Sequence, residues 1–497
     1  TDEQWRIINY LNFKSTCITD QEAVGIALDF DKAVRHRDEL LVLKEPKIVE
    51  LQKVMPKTPI TVKKTKPKVT HKKDGTLSSH GTAWFALLKD NKLPMNFNGE
   101  LQVITGYKEA NPGSPLQVKD WLDSLGWVPT TFNFVRDKAT GDERKIPQVR
   151  KDGELCSSVT RLIKKEPNVA VLEGLTIINH RIGAFQGFID CSYVVPDETF
   201  NVPQKVYVKS EIGGLTNTLR FKHKKPIANM PKVGVAWGAE IRGCLIATEG
   251  EVFCGTDLSS LESTTKRHYM FSHDPDYVEV MSQEGYDEHL DLAIFAGATT
   301  LEDVEGYKVA KGKDKKGITL TNHEQHLYGT VSDIRQDYKV VNYSGIYGIG
   351  KAALSRSLGI AVKAAAKLIS DYWDRNWAVK HIVEEQVVKK LKNGEMWLFN
   401  PVSEFWYSLR YEKDTFSTLN QGTGVYVFDK WLALSKQKGL TIAMQYHDEF
   451  LVRVKEGEEK NCEDEIKDAI TKLNTLINLN VPIDAESAFG KNYADVH

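Results

Sequence analysis

Apolar positions recur at near-helical intervals at the start of the chain, at Trp5, Ile8 and Leu11 and again at Val24, Leu28 and Val34. Residues 1 to about 52 are therefore expected to be helical. Between 56 and 115 the periodicity fails, and lysine, proline, glycine and threonine take over. So long a stretch without clear elements marks a functional insertion or a disordered segment, although Trp84, Phe85, Leu87 and Leu88 give part of it something to pack. Order returns at 115–129 with a short amphipathic helix ending at Gly126, and a longer helical region covers 155–188. Tyr193–Val195 and 206–208 read as strands flanking the turn-rich 196–203, and 252–258 reads as a short, largely buried strand.

The second half predicts helices near 287–296, 331–346, 351–373, 376–393 and 415–436, with two short strands around 396–409. It closes with a hairpin over 441–454 that turns at His447-Asp448, a helix to about 478 and a strand at 481–486. Strands from both ends of this region must meet in one sheet, with mostly helical insertions between them. That is an α+β arrangement.

A chain of 497 residues can form several subdomains with substantial cores. Its net charge of -1 excludes a uniformly basic nucleic-acid coat, so any such site is a local patch. Lysine-rich runs lie at 53–73, at 220–225 and at Lys308, Lys311, Lys313, Lys315 and Lys316, whereas 456–468 is mainly acidic. The six cysteines are scattered without a CxxC pair, which argues against a zinc ribbon and suits reduced thiols in a cytoplasmic compartment. No apolar run is long enough to span a bilayer, and the charged opening is not a signal peptide. The chain begins with Thr1 rather than Met, which suggests the removal of an upstream segment.

The stretch RQDYKVVNYSGIYGIG, residues 335–350, changes the picture most. Arg335, Lys339, Tyr343 and Tyr347 recur every four residues, so on a helix they form one slowly drifting stripe. Two cations followed by two aromatic rings are neither a core face nor a mixed-charge surface. They offer a phosphate chain its countercharges and then a surface on which a base or sugar can stack. Gly345 and Gly348 remove side chains beside the second tyrosine and would let a flat base pair approach the backbone.

A second pattern pairs carboxylates. FCGTDLSSLE sets Asp257 at the end of an apolar strand, with Glu262 five residues on, and AMQYHDEFLVRV sets Asp448 and Glu449 at a tight turn between two apolar strands. A desolvated, unpaired carboxylate costs several kcal/mol, so such groups need a partner, and a divalent cation is the expected one. Two aspartates on adjacent strands can hold two magnesium ions roughly 3.5 to 4 Å apart, the arrangement for in-line phosphoryl transfer. Arg335 and Lys339 would then bind the nucleotide phosphates from the opposite side.

The order Arg, Lys, Tyr, Tyr-Gly at four-residue steps resembles motif B of the DNA polymerase I family, family A; 257–262 resembles its motif A, and His447-Asp448-Glu449 its motif C. TLRFKHKKPIANMP is similar to the TGR and PNLQNIP-like segments, Asp287-Glu288-His289 to the Asp-Ile-His before the fingers helix, and Gln421-Gly422-Thr423 to QGT. The resemblance implies a right-hand polymerase: 1–190 as N-terminal helices and thumb with a basic insertion at 56–115, 191–275 and 415–497 as palm, and 276–414 as fingers. It implies Asp257, Asp448 and the Leu258 carbonyl as metal ligands. Arg335, Lys339, Tyr343, Glu262 and His289 would face the dNTP, and Tyr347, Arg220, Gln421, His447 and Glu449 the template-primer. Glu262 resembles the residue that excludes a 2′-hydroxyl, and Tyr343 the variant that accepts dideoxynucleotides.

DAESAFGKNYADVH and LGWVPTTF resemble the phage replicative branch, in which a thumb insertion recruits a processivity factor such as thioredoxin. The opening helices resemble those that follow the 3′-5′ exonuclease domain in that branch, so proofreading is expected to be missing from this chain. Asp484-Ala485-Glu486 mimics an exonuclease DxE but lies in the closing strand and reads as structural. Departures include Leu219 for the TGR glycine, Ser260 for a glutamine, Ser344 for a glycine and Ser417 for an asparagine, and the stretch from His289 to Arg335 is longer than usual. Two competing readings are a single-subunit RNA polymerase, against which Glu262 and Glu449 argue, and a catalytically silent DNA-binding replication subunit, against which the retained Asp257, Asp448, Lys339 and Arg335 argue.

Overall fold

The computed structural model describes residues 1–136, 142–151, 154–195 and 205–497, so the expected turn at 196–203 lies outside the described residues. The chain forms two compact units, one of Thr1–Ala33 with Gly187–His497 and the other of Val34–Gln186.

The first unit is built on a four-stranded antiparallel sheet: β1 (Glu251–Leu258), β2 (Thr441–Tyr446), β3 (Glu449–Lys455) and β4 (Ala485–Gly490). The strand order is β2-β3-β1-β4, so strands from both ends of the second half do meet in one sheet. Register sets Asp257 opposite Glu449 on one side and Glu486 on the other. One face is covered by two helices, Thr415–Gln437 and Glu459–Ile477. Trp431, Phe450, Val452, Cys254, Ile466 and Leu473 form the core between them, with the Trp431 and Phe450 rings 4.3 Å apart.

Five helices of this unit matter below: α1 (Asp2–Val24), α2 (Leu261–Met270), α3 (Glu288–Phe295), α4 (Asn322–Ile346) and α5 (Thr415–Gln437). Thr1 starts α1 with a capping box to Gln4. The apolar stripe that announces α1 is not the face it buries: Trp5 is 63% exposed, and the buried residues are Tyr10, Lys14, Cys17 and Gln21. Burial of the polar members is made possible by partners elsewhere. Lys14 Nζ lies 2.8 and 2.9 Å from the two carboxylate oxygens of Asp429 on α5, and Gln21 donates to the Ser210 carbonyl. Gly25, at φ +61°, ends α1, and a three-residue strand, Ile26–Leu28, interrupts the expected helix before Phe30–Val54 begins.

α4 is longer than its pattern suggests, because Thr321 supplies a capping box ten residues before the first expected position. The lysine-rich stretch preceding it includes a helix of its own, Leu301–Lys315. Residues 351–375 form two helices, Lys351–Leu358 and Val362–Arg375, because Gly359 at φ +69° closes the first. The expected helix at 376–393 stops at Glu385, and Val388–Lys390 is a strand. The closing strand begins at Ala485, later than expected, since Asn474 binds the backbone of Ile483 through both ends of its amide.

The second unit centres on Leu51, Met55, Trp121, Trp127, Val159 and Leu172. Its 56–115 stretch is not without elements. Thr58–Lys64 pairs antiparallel with Leu101–Lys108, and Ser79–Asp90 is a helix capped by Ser78 that buries Trp84 and Leu88. The ribbon escapes a period-two reading because both of its faces are largely exposed, so no apolar alternation is needed. The region at 155–188 is three short helices, Ser157–Ile163, Pro167–Leu172 and Leu175–Asp190, broken at Pro167 and at Gly174.

Candidate functional site

One chain reversal and one strand pairing bring the carboxylates together. β2 and β3 are joined by the two-residue turn His447-Asp448, with Tyr446 opposite Glu449. His447 adopts φ +64°, the first position of a tight hairpin turn that normally calls for glycine. That conformation costs a residue with a Cβ about 1–2 kcal/mol. The Asp448 carbonyl accepts from the Leu258 amide at 3.1 Å, which ties the turn to the end of β1. Asp257 and Asp448 are thereby held at one edge of one sheet.

The electrostatics of this edge are those of excess negative charge. Burial pushes the Asp257 carboxyl up, and the charges of Asp448, Glu449 and Glu486 push it further, against the opposing influence of His497. Burial likewise raises Asp448, with Arg220 opposing and Glu449 adding to the rise. Glu449 is buried, and its Oε1 accepts from Tyr493 Oη at 2.9 Å and lies 2.8 Å from His497 Nε2. Neither partner was anticipated, though the sequence shows a tyrosine and a histidine in the last five residues.

A cavity of about 200 Å³ opens beside this edge, lined by Ser260, Glu262, Lys266, Glu288, Tyr343 and Asp448 among others. Glu262 enters it from the first turn of α2, where Asn420 Nδ2 donates to its carbonyl at 2.9 Å. Burial raises its carboxyl, opposed by Arg220. The opposite wall is α4. Tyr343 and Tyr347 are each 46% exposed, while Val331, Tyr338, Val341 and Gly345 are buried on the other side of the helix. The stripe is one-sided, as its spacing requires, although the helix ends at Ile346 and Tyr347 is its C-cap.

The cations on α4 are braced by its neighbours. Arg335 Nε donates to Asp287 at 2.6 Å, and the same carboxylate caps α3 by accepting from the His289 and Leu290 amides. Arg335 holds the Asp287 carboxyl below its usual range against the effect of burial. Lys339 Nζ sits 5.8 Å from the Tyr343 ring centroid. His289 is buried, and its Nδ1 lies 3.1 Å from Asn342 Nδ2, which also donates to the Glu288 carbonyl. The amide is thus oriented nitrogen-first, His289 Nδ1 must accept, and the ring proton lies on Nε2. Burial lowers the pKa of His289, which suits this neutral form.

The remaining expected residues gather near the hairpin. The His447 and His223 rings are 5.3 Å apart, and burial takes both down to about 4. Gln421 accepts from Thr218 Oγ1 at 2.7 Å. Arg220 follows Leu219, which has φ +62°, so a leucine is held in the backbone conformation that a glycine adopts freely. Gly345 also has a packing reason. A Cβ there would lie 2.7 Å from the Tyr372 ring, which belongs to the protein's own core. Gly345→Ala should therefore cost about 1–3 kcal/mol, seen as a lower urea midpoint. An unchanged midpoint would mean that Tyr372 can move aside.

Among the described residues, no group of three or more His, Cys, Asp or Glu could hold a metal ion unaided. The two aspartates that lie close enough for Asp257 to feel the charge of Asp448 offer hard oxygens. They suit a cation that keeps water or substrate oxygens in its shell. The raised Asp257 and Asp448 carboxyls mark a place where positive charge is wanted. No helix of the described residues is long and apolar enough to cross a membrane.

No protein-family profile matches the chain. It is similar to DNA polymerase I of Lactococcus lactis subsp. cremoris, 23% identical over 298 residues, and of Bacillus subtilis, 24% over 304, each match covering 56% of this chain. DNA polymerase I of Pseudomonas aeruginosa matches at 23% over 290 residues, 54% of this chain. The matches span only 30%, 30% and 28% of those relatives. Among solved structures, the POL domain of Pol1 from M. smegmatis, in complex with DNA primer-template and dNTP, aligns with a TM-score of 0.60 and 17% identity. That alignment covers 96% of this chain and 69% of the other. The fold is the right-hand fold of a DNA polymerase domain.

Proposed function

We propose that this chain is a DNA-directed DNA polymerase of family A, which transfers dNMP from a dNTP to a primer 3′-hydroxyl and releases pyrophosphate. The observation that carries this reading is that Asp448, in the turn tied to the end of the strand that carries Asp257, lines one cavity with Glu262 and with Tyr343 of α4, the helix that also carries Arg335 and Lys339. In this reading 191–275 and 415–497 are palm, 276–414 fingers and 1–190 the N-terminal helices and thumb. The similarity to DNA polymerase I relatives supports it.

Two magnesium ions held by Asp257, Asp448 and the Leu258 carbonyl would supply the charge that activates the primer hydroxyl and steadies the leaving pyrophosphate. The chain's own groups do the rest. Arg335 and Lys339 grip the triphosphate, and the Nε2–H of His289 donates to a phosphate oxygen. Tyr343 and Tyr347 stack beneath the incoming base and the template base. Arg220, Gln421 and His447 hold the primer-template, and Glu449, clamped by Tyr493 and His497, backs the hairpin that carries Asp448. Glu262 closes the space a 2′-hydroxyl would need.

Primer extension on a defined template with magnesium tests the reading. Extension with dNTPs and not rNTPs supports it. Efficient rNTP extension would favour the RNA polymerase alternative, and binding without extension the silent replication subunit. Glu262→Ala is expected to raise ribonucleotide insertion roughly 10–100-fold, the scale on which a filled pocket discriminates; single-nucleotide kinetics with dCTP and CTP check it. Tyr343→Phe should lower the use of dideoxynucleotides.

We further read this as a cytoplasmic enzyme of the phage replicative type without proofreading in this chain; Glu486 pairs with Asp257 across the sheet and the Asp484 carbonyl accepts from the Ser259 amide, which fits a structural role for that Asp-Ala-Glu. The basic insertion at 56–115, which includes the ribbon at 58–64 and 101–108, is read as the seat of a thioredoxin-like processivity factor. Synthesis that lengthens when host-cell lysate is added would support that partner. Processivity that depends on salt alone would mean that the lysines bind duplex phosphates directly.

A further inference from the structure

Among the groups assigned to the triphosphate, Arg335 is held by an acid that the proposed reaction leaves without a task. Asp287 divides its two carboxylate oxygens between two helices. Its Oδ1 accepts from the His289 and Leu290 amides at 3.0 and 3.2 Å and so caps α3, whereas its Oδ2 accepts from Arg335 Nε of α4 at 2.6 Å. A cap needs one oxygen, and asparagine or serine supplies it as well as aspartate does. The second oxygen is the part of the residue that local structure does not explain.

Its electrostatic effect makes the question sharper. A carboxylate beside a cation that grips phosphate weakens the pull of that cation on an anion, so Asp287 has to contribute something other than charge. The shape of a guanidinium supplies the answer. Its five N–H groups lie in one plane, so a bond at Nε restricts the direction in which Nη1 and Nη2 point. No other hydrogen bond engages Arg335 among the described residues, which leaves both terminal nitrogens for a phosphate. The other phosphate-directed groups are close by. His289 feels the charges of Arg335 and Lys339, Tyr343 feels that of Arg335, and the His289 and Tyr343 rings are 5.7 Å apart. The His289 ring has its own support in Asn342, 3.1 Å from Nδ1. The Oδ2 atom of Asp287 therefore serves Arg335 alone.

We propose that Asp287 is a positioning residue for the triphosphate: it holds Arg335 through Nε with Nη1 and Nη2 turned to the phosphates, so that the guanidinium meets the incoming nucleotide already oriented. An arginine fixed in advance loses less side-chain freedom on binding than one that must be ordered by the ligand. This inference rests on the reading of Arg335 as a triphosphate ligand.

The test is single-nucleotide insertion of dCTP opposite template dG, with melting temperature and primer-template affinity measured on the same proteins. Asp287→Asn isolates Oδ2, because asparagine keeps an acceptor for the α3 cap and sets an amide NH2 against Arg335 Nε. Asp287→Ser keeps the cap and is too short to reach Arg335, so it carries the same comparison should the first variant melt far below wild type. Either variant is expected to lower kcat/KM for dCTP by roughly 10–100-fold, through KM more than kcat, with primer-template affinity unchanged. In an Arg335→Ala background Asp287→Asn should change insertion less than about twofold, since the two act as one unit. In a His289→Ala background it should keep its full effect. A merely structural role would instead lower synthesis by the same factor in both backgrounds. Wild-type kcat/KM in both Asp287 variants, an undiminished loss in the Arg335→Ala background, or a loss matched by weaker primer-template binding would overturn the proposal. If Arg335→Ala uses dCTP as well as wild type, the reading of Arg335 as a triphosphate ligand fails, and the role of Asp287 with it; if Arg335→Ala is impaired and the Asp287 variants are not, only the role of Asp287 fails.

Discussion

Asp448→Asn should cut the rate of dNTP incorporation by roughly 10³-fold, the scale set by removing one electrostatic stabiliser of a transition state, while primer-template binding and the fold persist. The physical basis is the excess charge at the sheet edge. Asp448 and Asp257 are both pushed up by burial, and Asp257 is raised further by Asp448 itself. A carboxyl whose folded pKa lies above its unfolded value makes the folded state bind the proton more tightly. Stability is then undiminished below the unfolded pKa, falls as pH rises to the folded pKa, and carries the full penalty above it. At neutral pH without a divalent cation, the native aspartate therefore opposes folding, and asparagine removes that opposition. The variant should melt no lower than wild type in the presence of a chelator, and added magnesium should stabilise it less than it stabilises wild type. Single-turnover extension and melting with and without magnesium would measure both. Extension within tenfold of wild type would mean that Asp448 does not hold the cation.

The residues of this edge were legible because each lies where a local rule is broken. An aspartate closing an apolar strand, a second in a two-residue turn and two cations followed by two rings at four-residue spacing all contradict the plain core or surface patterns around them. The partners that secure them were not legible, because each comes from a distant segment. Glu449 is clamped by residues 44 and 48 positions away, and Arg335 by Asp287, 48 positions away. Polar residues on buried faces were hidden for a different reason. A periodicity reading counts apolar side chains, so it selected Trp5, Ile8 and Leu11 on α1 and passed over Lys14 and Gln21. Lys266 was missed in the same way, since a lysine on a helix ordinarily signals solvent. The ribbon at 58–64 and 101–108 escaped because a two-sided exposed hairpin has no alternation to read.

Asp429→Ala should destabilise the first unit by about 3–5 kcal/mol, the cost of leaving a buried charge without its partner. Asp429 and Lys14 side chains are 1% and 4% exposed, and Tyr10 Oη donates to the same carboxylate. Burial pushes the Asp429 carboxyl up, and the ammonium and the phenol draw it back. Removing the aspartate strands Lys14 inside the joint between α1 and α5. Lys14→Met alone should be destabilising for the mirror-image reason, whereas a Lys14→Met/Asp429→Leu pair should recover most of the loss, since a packed apolar pair needs no desolvation. Urea midpoints for the two singles and the pair give the coupling directly; simple additivity would mean that the charges act independently. A functional readout follows from the helix they share. α5 also carries Asn420, which pins the Glu262 backbone, and Gln421, which accepts from Thr218. Loosening α1 from α5 should therefore weaken sugar discrimination before it abolishes synthesis, and the double variant should restore both.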